Sequence, residues 1–208
     1  MITVGDGGKP GGECPEINNH LEGDKCFCDD GYSWCDPFDD SNLECCLDGG
    51  FTNTSNPSQQ SGTTSGLAGI WGADANNVWA VGAQGTILKW NGTAWMPQAS
   101  GITTTLNGVW GTGANNVWAV GAGGVYKYDG TTWTKQTVPS AGPFVGVWGF
   151  ASGTVYVVGS SGQVLRYDGT TWKALQSGTS SNLTRVYGAS TASVFVLGDA
   201  GTLLRTGQ

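Results

Sequence analysis

The chain has 208 residues, a formal net charge of −7, 38% hydrophobic residues and only 12% charged residues. This length accommodates one medium-sized domain and a small additional module. No apolar run reaches the roughly 20 residues of a membrane-spanning helix, so none is predicted. The first five residues lack the charged and apolar segments of a signal peptide, so a mature form or a chain with an added Met is expected.

Residues 1–13 are predicted to be a flexible leader, because they include the run Gly8-Lys9-Pro10-Gly11-Gly12. Residues 14–46 hold all six cysteines: Cys14, Cys26, Cys28, Cys35, Cys45 and Cys46. An even number of cysteines in a short segment is typical of a disulfide framework, which a module with little apolar surface needs in order to fold. Three disulfides are predicted in a loop-rich module, and the spacing does not choose their pairing.

A zinc site is the weaker interpretation of this module, because the cysteine spacing departs from paired Cys-x-x-Cys motifs and His20 is the only histidine. The disulfide prediction places the protein in an oxidising compartment: secreted, periplasmic or at the cell surface. Extracellular or cell-surface localisation is therefore expected.

Charge divides sharply along the chain. Residues 1–50 contain twelve acidic and two basic residues, a net charge of −10, whereas residues 51–208 contain four acidic and seven basic residues, a net charge of +3. Calcium is one interpretation of the acidic cluster, since that ion prefers oxygen ligands. The spacing departs from an EF-hand loop, so a solvated acidic face is favoured and no cofactor is predicted. The calcium ligands in the alternative are Asp36, Asp39, Asp40, Asn42 and Glu44.

Residues 47–55 are predicted to be a linker, and residues 56–208 contain four repeats. Trp71, Trp110, Trp148 and Tyr187 occupy equivalent positions, at spacings of 39, 38 and 39 residues. A fixed period of this length indicates one supersecondary unit per repeat.

Each repeat contains four strand-like runs rich in Val, Trp, Tyr and Thr, which favour strands. In the second repeat these are residues 106–111, 117–121, 124–128 and 131–136. Asn91-Gly92, Asp129-Gly130 and Asp168-Gly169 predict two-residue hairpin turns between the third and fourth runs. No sustained helical period is present, so no helix is predicted.

Four antiparallel strands recurring about every 39 residues predict an all-β fold, a small β-propeller of four four-stranded blades with the first strand innermost. A parallel β-helix is the weaker alternative, because its coils are usually shorter. The last repeat stops before its fourth strand, and residues 59–66 (QQSGTTSG) resemble residues 175–182 (LQSGTSSN). Residues 56–60 are therefore predicted to supply the missing strand and to close the ring, which removes an exposed edge.

The repeats resemble bacterial extracellular β-propellers with Trp-rich blades. The shared motifs are VWG at residues 109–111 and 147–149, NNVWAVG at 76–82 and 115–121, and YDGTTW at 128–133 and 167–172. The last motif is similar to the Asp-box, a structural hairpin of sialidases and related propellers. It is one residue shorter between Asp and Gly and lacks the leading Ser, so no sialidase activity is carried over.

The segment CFCDDGY at residues 26–32 resembles the core of an epidermal-growth-factor-like module. The adjacent Cys45-Cys46 pair departs from that family, so the disulfide pairing of the family is not carried over.

The composition of the repeats predicts that the protein is not an enzyme. Residues 51–208 contain no His, Cys or Glu, and their only carboxylates are Asp74, Asp129, Asp168 and Asp199. Glycoside hydrolysis usually needs two facing carboxylates, and nothing in the spacing indicates such a pair. A nucleophile–histidine arrangement would need His20, which lies in the cysteine-rich module.

Binding is the remaining interpretation, and nine of the ten tryptophans lie in the repeats. Recurring aromatic residues are interpreted first as core between blades. Indole faces beside Asn and Thr also suit sugars, and repeated weak sites act together through multivalency. One recurring set comprises Trp79, Trp118, Tyr156 and Phe195, and another comprises Trp95, Trp133 and Trp172.

The predicted function is an extracellular binding propeller, in first place a lectin-like carbohydrate-binding protein. A protein-interaction or surface-assembly module without a small ligand is the alternative. The predicted partner is a glycan or another surface protein, and a homo-oligomer stays open. Nucleic acid is disfavoured, because a net charge of +3 over four blades is no basic patch.

Candidate ligand-binding residues are sought where the repeats differ, because the shared positions serve the scaffold. The loops between the first and second strands differ and are expected to project from one end of the ring, although Asn is also favoured in turns for local bonds. Arg185 stands where the other repeats have Gly69, Gly108 and Gly146, and it either faces solvent or reaches a ligand on the axis. The candidates are Asp74, Asn76, Asn77, Asn115, Asn116 and Arg185.

Overall fold

The structure, a computed structural model, describes residues 61–206 in full and, before them, only the backbone of three short strands. The chain divides into two compact units, Met1–Asn56 and Pro57–Gln208. In the first unit, β1 (Asn19–Glu22), β2 (Lys25–Cys28) and β3 (Trp34–Cys35) form one antiparallel sheet in that order. Cys26 and Cys35 are opposite each other in its register.

The cysteine side chains and the calcium alternative at Asp36, Asp39, Asp40, Asn42 and Glu44 lie outside the described residues. The three disulfides, the zinc alternative and the calcium alternative therefore stay predictions from the sequence.

Four antiparallel sheets follow one another along residues 61–206, and each is a blade whose strands are added in chain order. Blade 1 contains β4 (Leu67–Asp74), β5 (Asn77–Gly82), β6 (Ile87–Trp90) and β7 (Trp95–Pro97). Blade 2 contains β8 (Leu106–Gly113), β9 (Asn116–Gly121), β10 (Gly124–Tyr128) and β11 (Trp133–Lys135). Blade 3 contains β12 (Phe144–Gly149), β13 (Val155–Gly159), β14 (Val164–Tyr167) and β15 (Trp172–Leu175), and blade 4 contains β16 (Leu183–Ser190), β17 (Ser193–Gly198) and β18 (Leu203–Arg205).

The predicted all-β propeller architecture is confirmed. Neighbouring blades contact one another through their first strands, so β4, β8, β12 and β16 are innermost, as predicted. The only helical segments within residues 61–206 are single 3-10 turns at Ala83–Gly85, Ser160–Gly162 and Asp199–Gly201. In the part of the chain that the structure describes, no helix has the length and apolarity to cross a membrane.

Blade 4 has three strands among the described residues, whereas blades 1 to 3 have four each. β18 pairs with β17 on one side only. The segment predicted to complete this blade, residues 56–60, lies outside the described residues, so ring closure by that strand stays a prediction.

The turns between third and fourth strands differ from the prediction. The last residue of β10 pairs with the first residue of β11, so four residues rather than two connect them, and only Gly130 among these has a positive φ, 104°. The Asp129 carboxylate closes the turn, because its Oδ1 accepts hydrogen bonds from the backbone N–H groups of Thr131 and Thr132, each at 2.8 Å. A carboxylate that accepts two backbone N–H groups stabilises a longer turn, and the prediction of a two-residue turn was wrong.

Apolar side chains pack between consecutive blades rather than inside single sheets. Each blade has a front face toward the next blade and a back face toward the preceding one. At the junction of blades 2 and 3, the front face contributes Trp110, Trp118, Val120 and Val125, and the back face contributes Phe144, Val155, Val157 and Leu165. Equivalent clusters join blades 1 and 2 and blades 3 and 4.

Glycine on the innermost strands sets the distance between blades. A Cβ atom on Gly69 would lie 3.2 Å from the Cα of Gly108, and one on Gly108 would lie 2.9 Å from the carbonyl oxygen of Val145. One on Gly146 would lie 3.3 Å from the Cα of Arg185. The inner strands therefore need small residues at these three positions.

Candidate functional site

The first group of predicted site residues forms one closed network in the β4–β5 loop. Asp74 Oδ1 accepts hydrogen bonds from the Asn77 side chain at 2.9 Å and from the Asn76 backbone at 2.8 Å. The Asn77 side-chain hydrogen bond, followed by the Asn76 backbone hydrogen bond, lowers the pKa of the Asp74 carboxyl. The polar groups of this loop thus bind one another, which matches the local role that Asn and Asp have in turns.

In the second group, Asn116 Nδ2 donates to the hydroxyl of Thr112 at 2.7 Å. The side chain of Asn115 packs on the turn between β10 and β11, where a Cβ atom on Gly130 would lie 2.8 Å from Asn115 Cγ. Asn115 thus holds its loop against the hairpin of the same blade. Arg185 joins neither group; it is exposed on β16, and its Nη1 donates to the carbonyl of Thr184 at 2.8 Å.

Asn116 also lines a small pocket of about 100 Å³ between blades 2 and 3. Its Oδ1 is buried and accepts no hydrogen bond from the described residues. The other polar side chains of the pocket are Thr112, Lys127 and Tyr167, and Lys127 Nζ lies 5.0 Å from the centre of the Trp118 ring. The repeat position of Lys127 was visible in the sequence, but its place beside Asn116 depends on how neighbouring blades pack.

A larger cleft of about 670 Å³ lies between blades 3 and 4. Val194, Val196 and Leu204 contribute apolar surface from blade 4, and Tyr156 and Val164 contribute it from blade 3. The polar lining residues are Arg166, Gln176, Ser177, Thr191, Arg205 and Thr206. Because Leu203–Arg205 is β18, one wall of the cleft is the strand that has a neighbour on one side only.

The cleft lies where, at the other junctions, aromatic side chains of the next blade cover the junction. Trp118 is 2% exposed, and the rings of Tyr167 and Trp172 lie 5.3 and 5.6 Å from its ring. Trp172 belongs to the fourth strand of blade 3. Tyr156 is the repeat equivalent of Trp118, and no fourth strand of blade 4 covers it among the described residues. The cleft therefore occupies the place of an outermost strand.

Its charge is positive. Arg166 and Arg205 both line the cleft, and no carboxylate is among its lining residues. Asp168 and Asp199 are engaged elsewhere, by Lys173 Nζ at 3.4 Å and by Asn182 Nδ2 at 3.0 Å. Arg205 Cζ lies 5.5 Å from the centre of the Phe195 ring, so its guanidinium is on the front face of blade 4, and Arg166 is the cation directed at the cleft. The sequence analysis named neither arginine as a site residue and missed the cleft, which arises from packing.

In the part of the chain with described side chains, no group of three or more His, Cys, Asp or Glu residues is arranged to hold an ion. The four carboxylates of the blades are separate, and Asp129 and Asp168 are both fixed in hairpin turns. The arrangement offers apolar surface, a strand edge and cations, all of which serve binding.

No protein-family model matches the sequence, and no curated protein is significantly similar to it. Solved structures match it as a fold. YCF48 bound to D1 peptide is 18% identical with a TM-score of 0.51, over 69% of this chain and 55% of that one. The computationally designed Ika4 protein is 18% identical with a TM-score of 0.56, over 70% of this chain and 92% of that one.

The WD40 β-propeller domain of Doa1 is 14% identical with a TM-score of 0.56, and the match covers 68% of this chain and 50% of that one. The chain thus spans about half the length of the YCF48 and Doa1 structures. At these identities the similarity shows the β-propeller fold.

Proposed function

We propose that this chain is a protein-binding propeller that holds an extended peptide segment in the cleft between blades 3 and 4. The observation that carries the proposal is the outer edge of β18, which has no partner strand among the described residues, beside a cleft of about 670 Å³. A peptide that adds to such an edge gains backbone hydrogen bonds, and its alternate side chains enter the adjacent pocket. The similar YCF48 structure has D1 peptide bound, which supports a binding role for this fold.

The composition of the cleft defines the peptide. Leu175 and Leu204, which line the cleft and are not fully buried, favour an apolar side chain on the residues that point inward. Arg166 favours an acidic side chain at the rim, because a guanidinium group pairs with a carboxylate through two parallel hydrogen bonds. The favoured ligand is a short extended segment that alternates apolar and acidic residues.

The chain's own residues 56–60 are the predicted competitor for the same edge. If they occupy it, a partner strand must displace them, and a chain that lacks residues 1–60 should bind peptide more tightly than one that lacks only 1–46. If the two truncated chains bind peptides equally and unfold alike, residues 56–60 have no role at this edge.

A screen of displayed random peptides against the 208-residue chain tests the proposal. Arg166→Glu should weaken the selected peptides by about tenfold or more, since it removes one charge-assisted contact and introduces repulsion. Lys135→Glu is the matched control, because it makes the same change of charge on β11, outside the cleft. Selected peptides that are not acidic, or that bind both variants equally, would contradict the proposed site.

Carbohydrate binding is the second candidate. Trp79 and Trp118 are 0% and 2% exposed, so they serve the core and do not offer faces to sugars. One observation on blade 1 favours this candidate. Trp90 and Trp95 of blade 1 are only half-buried, and their rings lie 5.7 Å apart. A glycan array on the folded protein, with Trp95→Ala as the variant, checks this; a protein that binds no glycan removes the second candidate.

The extracellular setting and the absence of catalysis belong to the same proposal. Intact-mass measurement of denatured, non-reduced protein should show six hydrogens fewer than the reduced chain, as three disulfides require. Six titratable thiols in protein from an oxidising compartment would remove the disulfide framework and the oxidising compartment together.

A further inference from the structure

We infer that the back face of blade 1 and the front face of blade 4 form a two-part docking surface for a second copy of this chain. This inference goes beyond the proposed peptide site and uses a different surface. The inference depends on the repeat. Blade 1 and blade 4 each present one face of the kind that packs against a neighbouring blade at the three interior junctions.

The interior junctions define the two halves. The back faces of blades 2, 3 and 4 begin with Leu106, Phe144 and Leu183, each of which is 0% exposed. Val81, Val120 and Val158 are the matching front-face residues of blades 1, 2 and 3, and each is also 0% exposed. These six junction positions are thus buried by the neighbouring blade.

The same positions are exposed at the two ends. On the back face of blade 1, Leu67 is 44% exposed and Ile70 is 68% exposed. On the front face of blade 4, Tyr187, Leu197 and Leu203 are 56%, 50% and 64% exposed. These five are among the seven large hydrophobic residues that are exposed in the described part of the chain. Apolar patches of this kind mark interaction sites in soluble proteins.

Aromatic residues at the two ends are complementary in the same way. In the interior, a cation lies over the second-strand tryptophan, Lys89 at 4.9 Å from the Trp79 ring and Lys127 at 5.0 Å from the Trp118 ring. Two aromatic rings of the next blade then cover that tryptophan, as Tyr167 and Trp172 cover Trp118. Blade 4 repeats the first half of this arrangement with Arg205 at 5.5 Å from Phe195.

Blade 1 has the two aromatic residues that would cover such a ring. Trp90 and Trp95 hold the positions of Tyr167 and Trp172, and their rings lie 5.7 Å apart. All four residues are half-buried, and Trp90 and Trp95 have no preceding blade to cover in the described part of the chain. A second copy would place its Trp90 and Trp95 over Phe195, which is the contact that the repeat forms in the interior. The docking partner is therefore this chain's own blade 1.

The two ends do not satisfy each other within one molecule, because Leu67, Ile70, Tyr187 and Leu197 stay exposed in the same structure. The strand contacts explain why. The extensive contacts among the described strands join blade 1 to blade 2, blade 2 to blade 3 and blade 3 to blade 4, and none of them joins blade 4 to blade 1. Two copies related by a twofold axis would place each front face against the other's back face and form a closed ring of eight blades.

Arg185 determines how tightly the copies meet. Gly69, Gly108 and Gly146 let the inner strands approach within 3.3 Å of an added Cβ atom, and Arg185 stands at the equivalent position on the free end. Its side chain would separate the inner strands, so this junction is expected to be weaker than the three interior ones. Arg185→Gly should tighten self-association about tenfold.

Sedimentation velocity of the 208-residue chain over a range of concentrations tests the inference, with a dimer as the expected species. Ile70→Asp and Leu197→Lys should each leave a folded monomer, because both positions are exposed in the single copy. A mixture of the two variants should form a heterodimer, since one of its junctions is of native sequence and the other brings the introduced aspartate opposite the introduced lysine.

Thr134→Asp, on the exposed outermost strand of blade 2, is the control and should not affect the dimer. Near-ultraviolet circular dichroism confirms that each variant folds. A wild-type monomer at every concentration, an open-ended oligomer, or a dimer that persists in both single variants would each overturn the inference. Arg166→Glu should leave the dimer intact, so failure of the peptide site and failure of this surface are distinguishable.

Discussion

The junction between blades 2 and 3 and the free front face of blade 4 are built from the same repeat but differ in what covers them. At the junction, Trp118 lies under two aromatic rings and beside a lysine. At the free face, Phe195 has the cation but not the cover, and Leu197 is half exposed. The difference shows that a blade contributes half a core, and that stability arises when the next blade supplies the other half.

The largest effect on stability is expected from truncating the aromatic side chain at one repeat position, which is Trp118 in blade 2 and Phe195 in blade 4. Trp118→Ala should lower the free energy of unfolding by about 3–5 kcal/mol, as large aromatic truncations in a core do. Phe195→Ala should cost much less when measured in the Ile70→Asp background, where the chain is expected to be monomeric. Urea denaturation followed by circular dichroism gives both values. Equal losses would show that the free face is covered in the monomer.

A smaller effect is expected from widening a junction at its inner edge. Gly108→Ala places a Cβ atom 2.9 Å from the carbonyl of Val145 on the next blade, so overpacking should cost about 1–3 kcal/mol. Gly113→Ala is the matched control at the end of the same strand, where nothing lies within 4 Å of the added atom. If both variants melt at the wild-type temperature, the glycines do not set the distance between blades.

Acid should weaken the turns and leave the junctions unchanged. The backbone N–H of Thr132, the hydroxyl of Thr131 and its backbone N–H hold the pKa of the Asp129 carboxyl well below its ordinary value, and equivalent groups act on Asp168. Because the pKa in the folded state is depressed, this contribution is present above about pH 4 and is lost as the pH falls further. The free energy of unfolding should therefore decrease from pH 4 downward.

The double variant Asp129→Asn, Asp168→Asn should show a flatter pH dependence with the fold retained. Blade 1 supports this choice, because Asn91 forms the same turn with an amide oxygen that accepts the N–H groups of Thr93 at 2.9 Å and Ala94 at 2.8 Å. A pH profile that matches the wild type in steepness would show that other groups govern the acid response.

The smallest effect on stability is expected at Arg185. Its side chain is exposed and makes one hydrogen bond to the backbone of the preceding residue, so Arg185→Ala should change the free energy of unfolding by less than about 0.5 kcal/mol. The sequence analysis expects the same variant to weaken a ligand bound on the axis. Peptides from the display screen that bind Arg185→Ala normally would remove Arg185 from the ligand-binding residues.

The strand order was predictable from sequence because each strand and each turn is encoded within one repeat. The spacing of equivalent positions such as Trp110 and Trp148 gave the length of the repeat, and the four strands predicted within that length defined the blade. The turn type was mispredicted, because Asp-Gly fits both a two-residue turn and a longer one, and the hydroxyls and N–H groups of Thr131 and Thr132 decided between them. That choice depends on side-chain geometry, which a residue pair does not specify.

The candidate sites were harder to predict. The sequence pointed to Asp74, Asn76 and Asn77 as free donors and acceptors, and the structure engages Asp74 with both asparagines in one loop. The cleft lined by Arg166 and Arg205 has no local signature, because it results from the absence of a covering strand, among the described residues, at a junction of two blades. Sites that arise from packing between repeats are invisible to reasoning that compares repeats position by position.

The aromatic contacts between blades also give the protein a built-in optical signal. Trp118 and Trp172 lie edge to face at 82° with their centres 5.6 Å apart, and Trp110 and Trp148 are 6.2 Å apart across the same two blades. Indoles at such separations contribute to near-ultraviolet circular dichroism, so that signal should change when a junction opens. The buried indoles emit at shorter wavelengths than the half-exposed Trp90 and Trp95. When two blades separate, the tryptophan fluorescence should therefore shift to longer wavelength, and no added label is needed to follow it.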